Sequence, residues 1–91
     1  MYKKKVLEII QEQLDIDNIS LDSYLGLHLS LDSLDVLEIS NKLEIAFNLP
    51  AGSVIDNVFP QFRSMTVADL VFCVQKAALS QKTKNKFERQ R

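Results

Sequence analysis

Apolar residues at Val6, Ile9, Ile10 and Leu14 follow the three-and-four spacing of one buried helical stripe and predict a first helix between Tyr2 and Asp15. From Asp17 to Asp32 that period is lost among Asn18, Ser20, Asp22, Ser23, Gly26 and Ser30. Ile19, Leu21, Leu25, Leu27, Leu29 and Leu31 nevertheless persist, which predicts a long loop pinned to the core. The alternation from Leu25 to Leu31 also suits a strand, but no good second strand is available to pair with it. A second helix begins at Asp32, whose carboxylate can accept free amide hydrogens of the first turn, and runs to about Asn48 before Pro50. Val36, Ile39, Leu43, Ala46 and Phe47 share its inward arc, whereas Leu34, Glu38, Asn41 and Ile45 fall on the opposite side. A short third helix fits Ser53 to Phe59, with Pro60 stopping it. Thr66-Val-Ala-Asp69 has the pattern of a capping box and opens a fourth helix to about Leu79, with Val67, Leu70, Val71, Val74, Ala77 and Ala78 on one face. The predicted fold is all-α: a four-helix bundle with a short third helix and a long loop between helices 1 and 2.

A length of 91 residues leaves room for one core. The bundle is expected over residues 1–80, followed by a polar, basic, fraying tail over 81–91 with a lone Phe87. Cys73 is the single cysteine, so no internal disulfide can form, and no paired zinc-ligand spacing occurs. Packing must hold the fold. The opening Met-Tyr-Lys-Lys-Lys imitates the basic end of a signal peptide, but Glu8, Gln11 and Glu12 interrupt the apolar stretch that export needs. No run approaches the roughly 18 apolar residues of a membrane span, and a cytoplasmic location is expected.

The net charge of −1 conceals a segregation. Between Glu8 and Phe72, eleven acids face only Lys42 and Arg63, a balance of −9, while both ends of the chain are basic. Such a body repels nucleic-acid phosphate and attracts basic protein surfaces. Enzymatic chemistry is thinly provided. The only histidine, His28, lies in a loop five residues before Ser33, without the arrangement a hydrolytic triad needs. Cys73 sits on the flank of the apolar stripe of helix 4, with no basic neighbour recognised at helical spacing, as a half-buried inert thiol. Gly26 and Gly52 are too far apart for a phosphate loop, and Asp32 with Asp35 offers at best weak ion binding.

Ser33 is distinguished by position. As the first residue of helix 2 it adjoins amide hydrogens with no intrahelical partner and the positive end of the helix dipole, where a phosphate ester would be stabilised. Leu31-Asp32-Ser33-Leu34-Asp35, followed by the amphipathic run Val36 to Phe47, resembles the acyl carrier proteins, and the likeness in helix order, Leu-Glu pairs and Thr-Val start of the last helix extends from about Val6 to Ala78. The resemblance implies a non-catalytic carrier whose Ser33 receives 4'-phosphopantetheine from coenzyme A through a phosphopantetheinyl transferase. The arm's thiol would then hold acyl groups as thioesters for acyl-loading and acyl-processing enzymes of a fatty-acid, lipid or polyketide-type pathway. It further implies that Asp32, Leu34, Asp35, Glu38, Asn41 and Ile45 form the face that meets basic patches on those partners, with the carrier a monomer.

Departures from the family pattern are specific. Ser30 stands where a glycine is usual, Ser40-Asn41-Lys42 and Ile45 replace the apolar-then-acidic run of bacterial fatty-acid carriers, and the segment from Val58 to Thr66 looks nearer to polyketide-type carriers. These point to a dedicated pathway. An aminoacyl, D-alanyl, aryl or peptidyl carrier is the alternative within the family, and an unmodified helical adaptor or nucleic-acid-binding bundle the alternative outside it. Only the basic tail favours nucleic acid.

Overall fold

In the computed structural model the described residues are 2–89, with side chains described through Ser80. They form helices α1 (Tyr2–Leu14), α2 (Ser33–Ala46), α3 (Ile55–Val58) and α4 (Val67–Arg89), with a 3-10 helix over Phe59–Ser64 between the last two. Helix α1 runs antiparallel to α2: the Tyr2 ring lies 5.2 Å from that of Phe47 at one end, and Gln13 bonds to Glu38 and Lys42 toward the other. Val6 and Ile10 of α1, Val36, Ile39 and Leu43 of α2, Val58, Phe62, and Val67, Leu70 and Val74 of α4 are all buried in one cluster. Each large aliphatic among them contributes about 1.5–3 kcal/mol by leaving water.

The long α1–α2 loop is part of this core. Leu25 and Leu31 are buried, with Ile19, Leu21 and Leu29 packed against the cluster, while Leu27 points to solvent. Among the described residues the strand-like alternation yields no more than a single bridge between Tyr24 and Thr66. The backbone shows why the loop is ordered: the Leu25 N–H donates to the Met65 carbonyl at 2.9 Å, and the Ser23 and Leu21 carbonyls accept from the Val67 and Ala68 N–H groups at 2.9 and 3.0 Å. Those last two amides belong to the first turn of α4, which has no intrahelical acceptors for them. Thr66 and Asp69 complete that helix start by a reciprocal capping box, the Asp69 carboxylate accepting the Thr66 N–H and the Thr66 hydroxyl accepting the Asp69 N–H.

Ser30 adopts φ 55°, the left-handed region in which a side chain is strained and glycine is not. Serine, standing where the resemblance to the acyl carrier proteins would place glycine, therefore stores strain in the turn that delivers the chain to α2. Ser30→Gly is expected to stabilise the protein by about 0.5–1 kcal/mol, the relief of strain exceeding the added freedom of the unfolded chain, and chemical denaturation measures it.

Three details differ from the sequence expectation. Ala46 is exposed rather than inward, while Ser40 and Glu44 of the same helix are buried. The inward arc of α2 is thus turned toward α3, because Glu44 is bonded there: its carboxylate accepts the N–H groups of Gly52, Val54 and Ile55 at 3.1, 3.0 and 3.1 Å. Pro60 ends the α-helical geometry but not the helical path, since a proline near the start of the 3-10 helix leaves no needed donor missing. Helix α4 continues to Arg89, ten residues past the expected end at Leu79. The side chains of the expected basic tail over 81–91 lie outside the described residues.

Candidate functional site: the start of helix α2

Ser33 is the first helical residue of α2 and its side chain is exposed. What holds it there is built from its neighbours. Asp32 caps the helix with extended backbone (φ −103°, ψ −177°), its Oδ1 accepting the Asp35 N–H at 2.9 Å, while Asp35 Oδ2 accepts the Asp32 N–H at 3.3 Å. Leu31 and Val36 occupy the positions of a hydrophobic staple on either side of this box, and both are buried in the core. The two carboxylates serve the backbone and the two apolar side chains fix the entry angle. The Ser33 hydroxyl takes part in none of the hydrogen bonds among the described residues and faces solvent.

The remaining residues expected on this face are found as follows. Leu34, Glu38, Asn41 and Ile45 are exposed, and Asp35 is half-buried beneath the cap it closes. Glu38 is not free: its Oε1 accepts from Gln13 Nε2 at 2.6 Å, and Gln13 Oε1 in turn accepts from Lys42 Nζ at 2.6 Å, so one α1 amide bridges an acid and a base of α2. Sequence reasoning missed Gln13, the buried acceptor Glu44, and Leu37, which is half exposed beside Leu34. Leu37 was legible in the spacing, three residues after Leu34 and four before Asn41. Gln13 and Glu44 were not, because their partners lie 25 and at least eight residues away.

The other candidates fall away from Ser33. His28 Nδ1 accepts the Tyr24 N–H at 2.8 Å and its ring lies 5.5 Å from the Tyr24 ring, so the imidazole closes its own loop. Cys73 is half-buried; burial pushes its thiol up, Asp69 adds to this, and Lys76, a base three residues on that the spacing argument overlooked, lowers it by less. The thiol is correspondingly unreactive. Among the described residues no group of three or more His, Cys, Asp or Glu side chains is placed to hold a metal ion. An open groove of about 790 Å³ between α3, the 3-10 helix and α4 is lined by Ser53, Asn57, Met65, Phe72 and Cys73 among others, and none of the expected site residues borders it.

An exposed hydroxyl with no internal partner, standing on the first turn of a 14-residue helix, fits covalent attachment of a phosphorylated group. The comparisons with known proteins agree in kind. The phosphopantetheine attachment site family matches residues 4–71. The acyl carrier protein of Phytoplasma australiense is 38% identical over 74 residues, covering 81% of this chain and 91% of that protein. No solved structure matches the chain. A helical bundle matched over most of its length both by the attachment-site family and by a curated carrier is a carrier and not an enzyme, its prosthetic group is a covalent 4'-phosphopantetheine, and the chain belongs to the acyl carrier protein family.

Proposed function

We propose that Ser33 is the attachment point, and that the chain holds acyl intermediates as thioesters for the enzymes of a fatty-acid, lipid or polyketide-type pathway, as a cytoplasmic monomer. The observation that carries this reading is the division of labour at the start of α2. Asp32 and Asp35 satisfy the cap, Leu31 and Val36 anchor it, and Ser33 is left exposed with an uncommitted oxygen. Among the described residues no side chain is hydrogen-bonded to the Ser33 hydroxyl as a general base would be; the nearby Asp32, Asp35 and His28 each accept a backbone N–H instead. Ser33 is therefore an acceptor whose proton leaves to a base of the transferase.

The prosthetic group supplies a thiol on a long flexible tether, which raises the effective concentration of its cargo at each partner's active site into the millimolar range where the tether spans the distance. The chain's own residues supply the fixed end: a rigid helix start, a phosphate-stabilising dipole and an adjoining docking face of Asp32, Leu34, Asp35, Glu38, Asn41 and Ile45. Departures along α2 favour a dedicated pathway, with amino-acid cargo as the second reading. Incubation with coenzyme A and a broad-range phosphopantetheinyl transferase, followed by intact mass, is expected to add one arm. A chain that gains nothing under conditions that modify a known carrier overturns the proposal. Loading the product with fatty, malonyl and amino acids in turn separates the cargo classes.

A further inference from the structure

The two basic ends of the sequence come together at one end of the folded molecule. Helices α2 and α4 start side by side, because Leu31 and Met65, each two residues ahead of its helix, are both bonded to the Leu25 backbone. They run in the same direction, since Pro50 and Ser53, beyond the end of α2, border one groove with Lys76 and Ser80 of α4. Tyr2 against Phe47 puts the start of α1 at that far end too. From there the backbone of α4 runs on through residues 81–89, about 14 Å further. The exposed Lys3, Lys4 and Lys5 of α1 therefore share the end opposite Ser33 with Lys76, Lys82, Lys84, Lys86 and Arg89 of α4. Those eight bases meet four acids, Glu8, the buried Glu44, Asp56 and Glu88, a balance of +4. The half around Ser33 sets Lys42 and Arg63 against eight acids, the seven from Glu12 to Glu38 and Asp69, a balance of −6. Folding thus converts the segregation of charge along the sequence into two oppositely charged ends of a molecule 46 Å long.

We propose that this basic end binds the surface of an anionic phospholipid bilayer. The three lysines of α1 oppose the positive end of that helix's dipole, and no acid shares its first turn, so they do not serve the helix itself. In helical register Leu79, Lys82, Lys86 and Arg89 follow one another at three, four and three residues, within about 80° of arc, and Glu88 falls on the other side. The Leu79 side chain is 64% exposed. One leucine among bases suits the boundary between headgroups and acyl chains. Nucleic-acid phosphate would attract the same bases but offers Leu79 no apolar layer to enter. Among the described residues no helix is long and apolar enough to cross a membrane, so the contact is with the surface. The acids around Ser33 lie about 20 Å away along α2, more than two Debye lengths of about 8 Å at physiological salt, and their repulsion is screened. The binding does not depend on the carrier reading. What it adds to that reading is that Ser33, at the opposite end, is held toward the water and the enzymes in it.

The test is co-sedimentation of the full chain with vesicles of phosphatidylcholine, alone or with about a third phosphatidylglycerol, at physiological salt. The chain is expected to bind the anionic vesicles and not the neutral ones, and to be released by about 0.5 M salt. Lys4→Glu and Lys86→Glu should each weaken binding about tenfold, and Leu79→Ser severalfold. Arg63→Glu makes the same change of charge at the Ser33 end and should stay within about twofold of wild type. Lys4, Arg63 and Leu79 are exposed, so circular dichroism of those variants should match wild type. Equal binding to both vesicles, or binding to neither, overturns the inference. So does an Arg63→Glu variant as impaired as Lys86→Glu, because net charge and not its placement would then be read. A chain that ignores vesicles but binds a single-stranded RNA oligonucleotide, with Leu79→Ser indifferent, assigns this end to nucleic acid and overturns the lipid assignment. Arm attachment, read separately by intact mass, is untouched by any of these results, so failure here leaves the carrier reading standing.

Discussion

Replacing Ser33 with alanine abolishes arm attachment and leaves the fold unchanged. The expectation is all-or-none because the requirement is positional. Ser20, Ser30, Ser64 and Ser80 are also exposed, but none opens a helix at a capping box. Ser30, the nearest in sequence, sits in a left-handed turn on the other side of the buried Leu31. The stability of Ser33→Ala should stay within about 0.5 kcal/mol of wild type, the range for an exposed side chain without a structural bond. Intact mass after treatment with coenzyme A and transferase reads the first effect, and urea denaturation the second. A variant that still gains the arm, at whatever rate, removes Ser33 from the proposal.

The second large effect lies away from the exposed face. Glu44→Ala is expected to cost about 3 kcal/mol, because three backbone N–H groups lose their acceptor at once and at least one of them, at Val54, is buried. For a domain of this size that corresponds to a fall of roughly 12–24 °C in the melting midpoint. Glu44→Gln should fall between, since one oxygen still accepts while its amide group opposes an N–H that was formerly bonded. A loss below 1 kcal/mol for the alanine variant would show that water replaces the carboxylate without penalty. The role assigned to Glu44 as the support of α3 would then be wrong.

The two residues illustrate how differently a helical protein displays its parts. Ser33 was legible because its signal is local: an N-cap aspartate, a serine, an exposed leucine and an apolar stripe all lie within a few turns of one helix, and spacing alone sorts them into faces. The same holds for Thr66 and Asp69, three residues apart, and for the stripes of α1 and α4. Glu44 was hidden for the opposite reason. At the helical period it reads as one more acid on a flank of α2, and only the return of residues 52–55 against that flank turns it inward. Ala46 was misplaced by the same ambiguity, since an arc read from periodicity has no fixed edge until a neighbouring element covers one side of it. The span of α4 beyond Leu79 escaped because a polar run has no stripe with which to announce a helix.

By itself the sequence determined the all-helical class, the order of the elements, the start of α2 and the serine that opens it, because each of these is decided by interactions between residues within a turn or two of one another. Only folding lays the long loop over the start of α4, sets the rotation of α2, places Glu44 under the start of α3 and lets Gln13 bond both Glu38 and Lys42. Those contacts join groups distant along the chain, and their partners are chosen only when packing brings the backbone amides and side chains of separate elements within hydrogen-bonding reach.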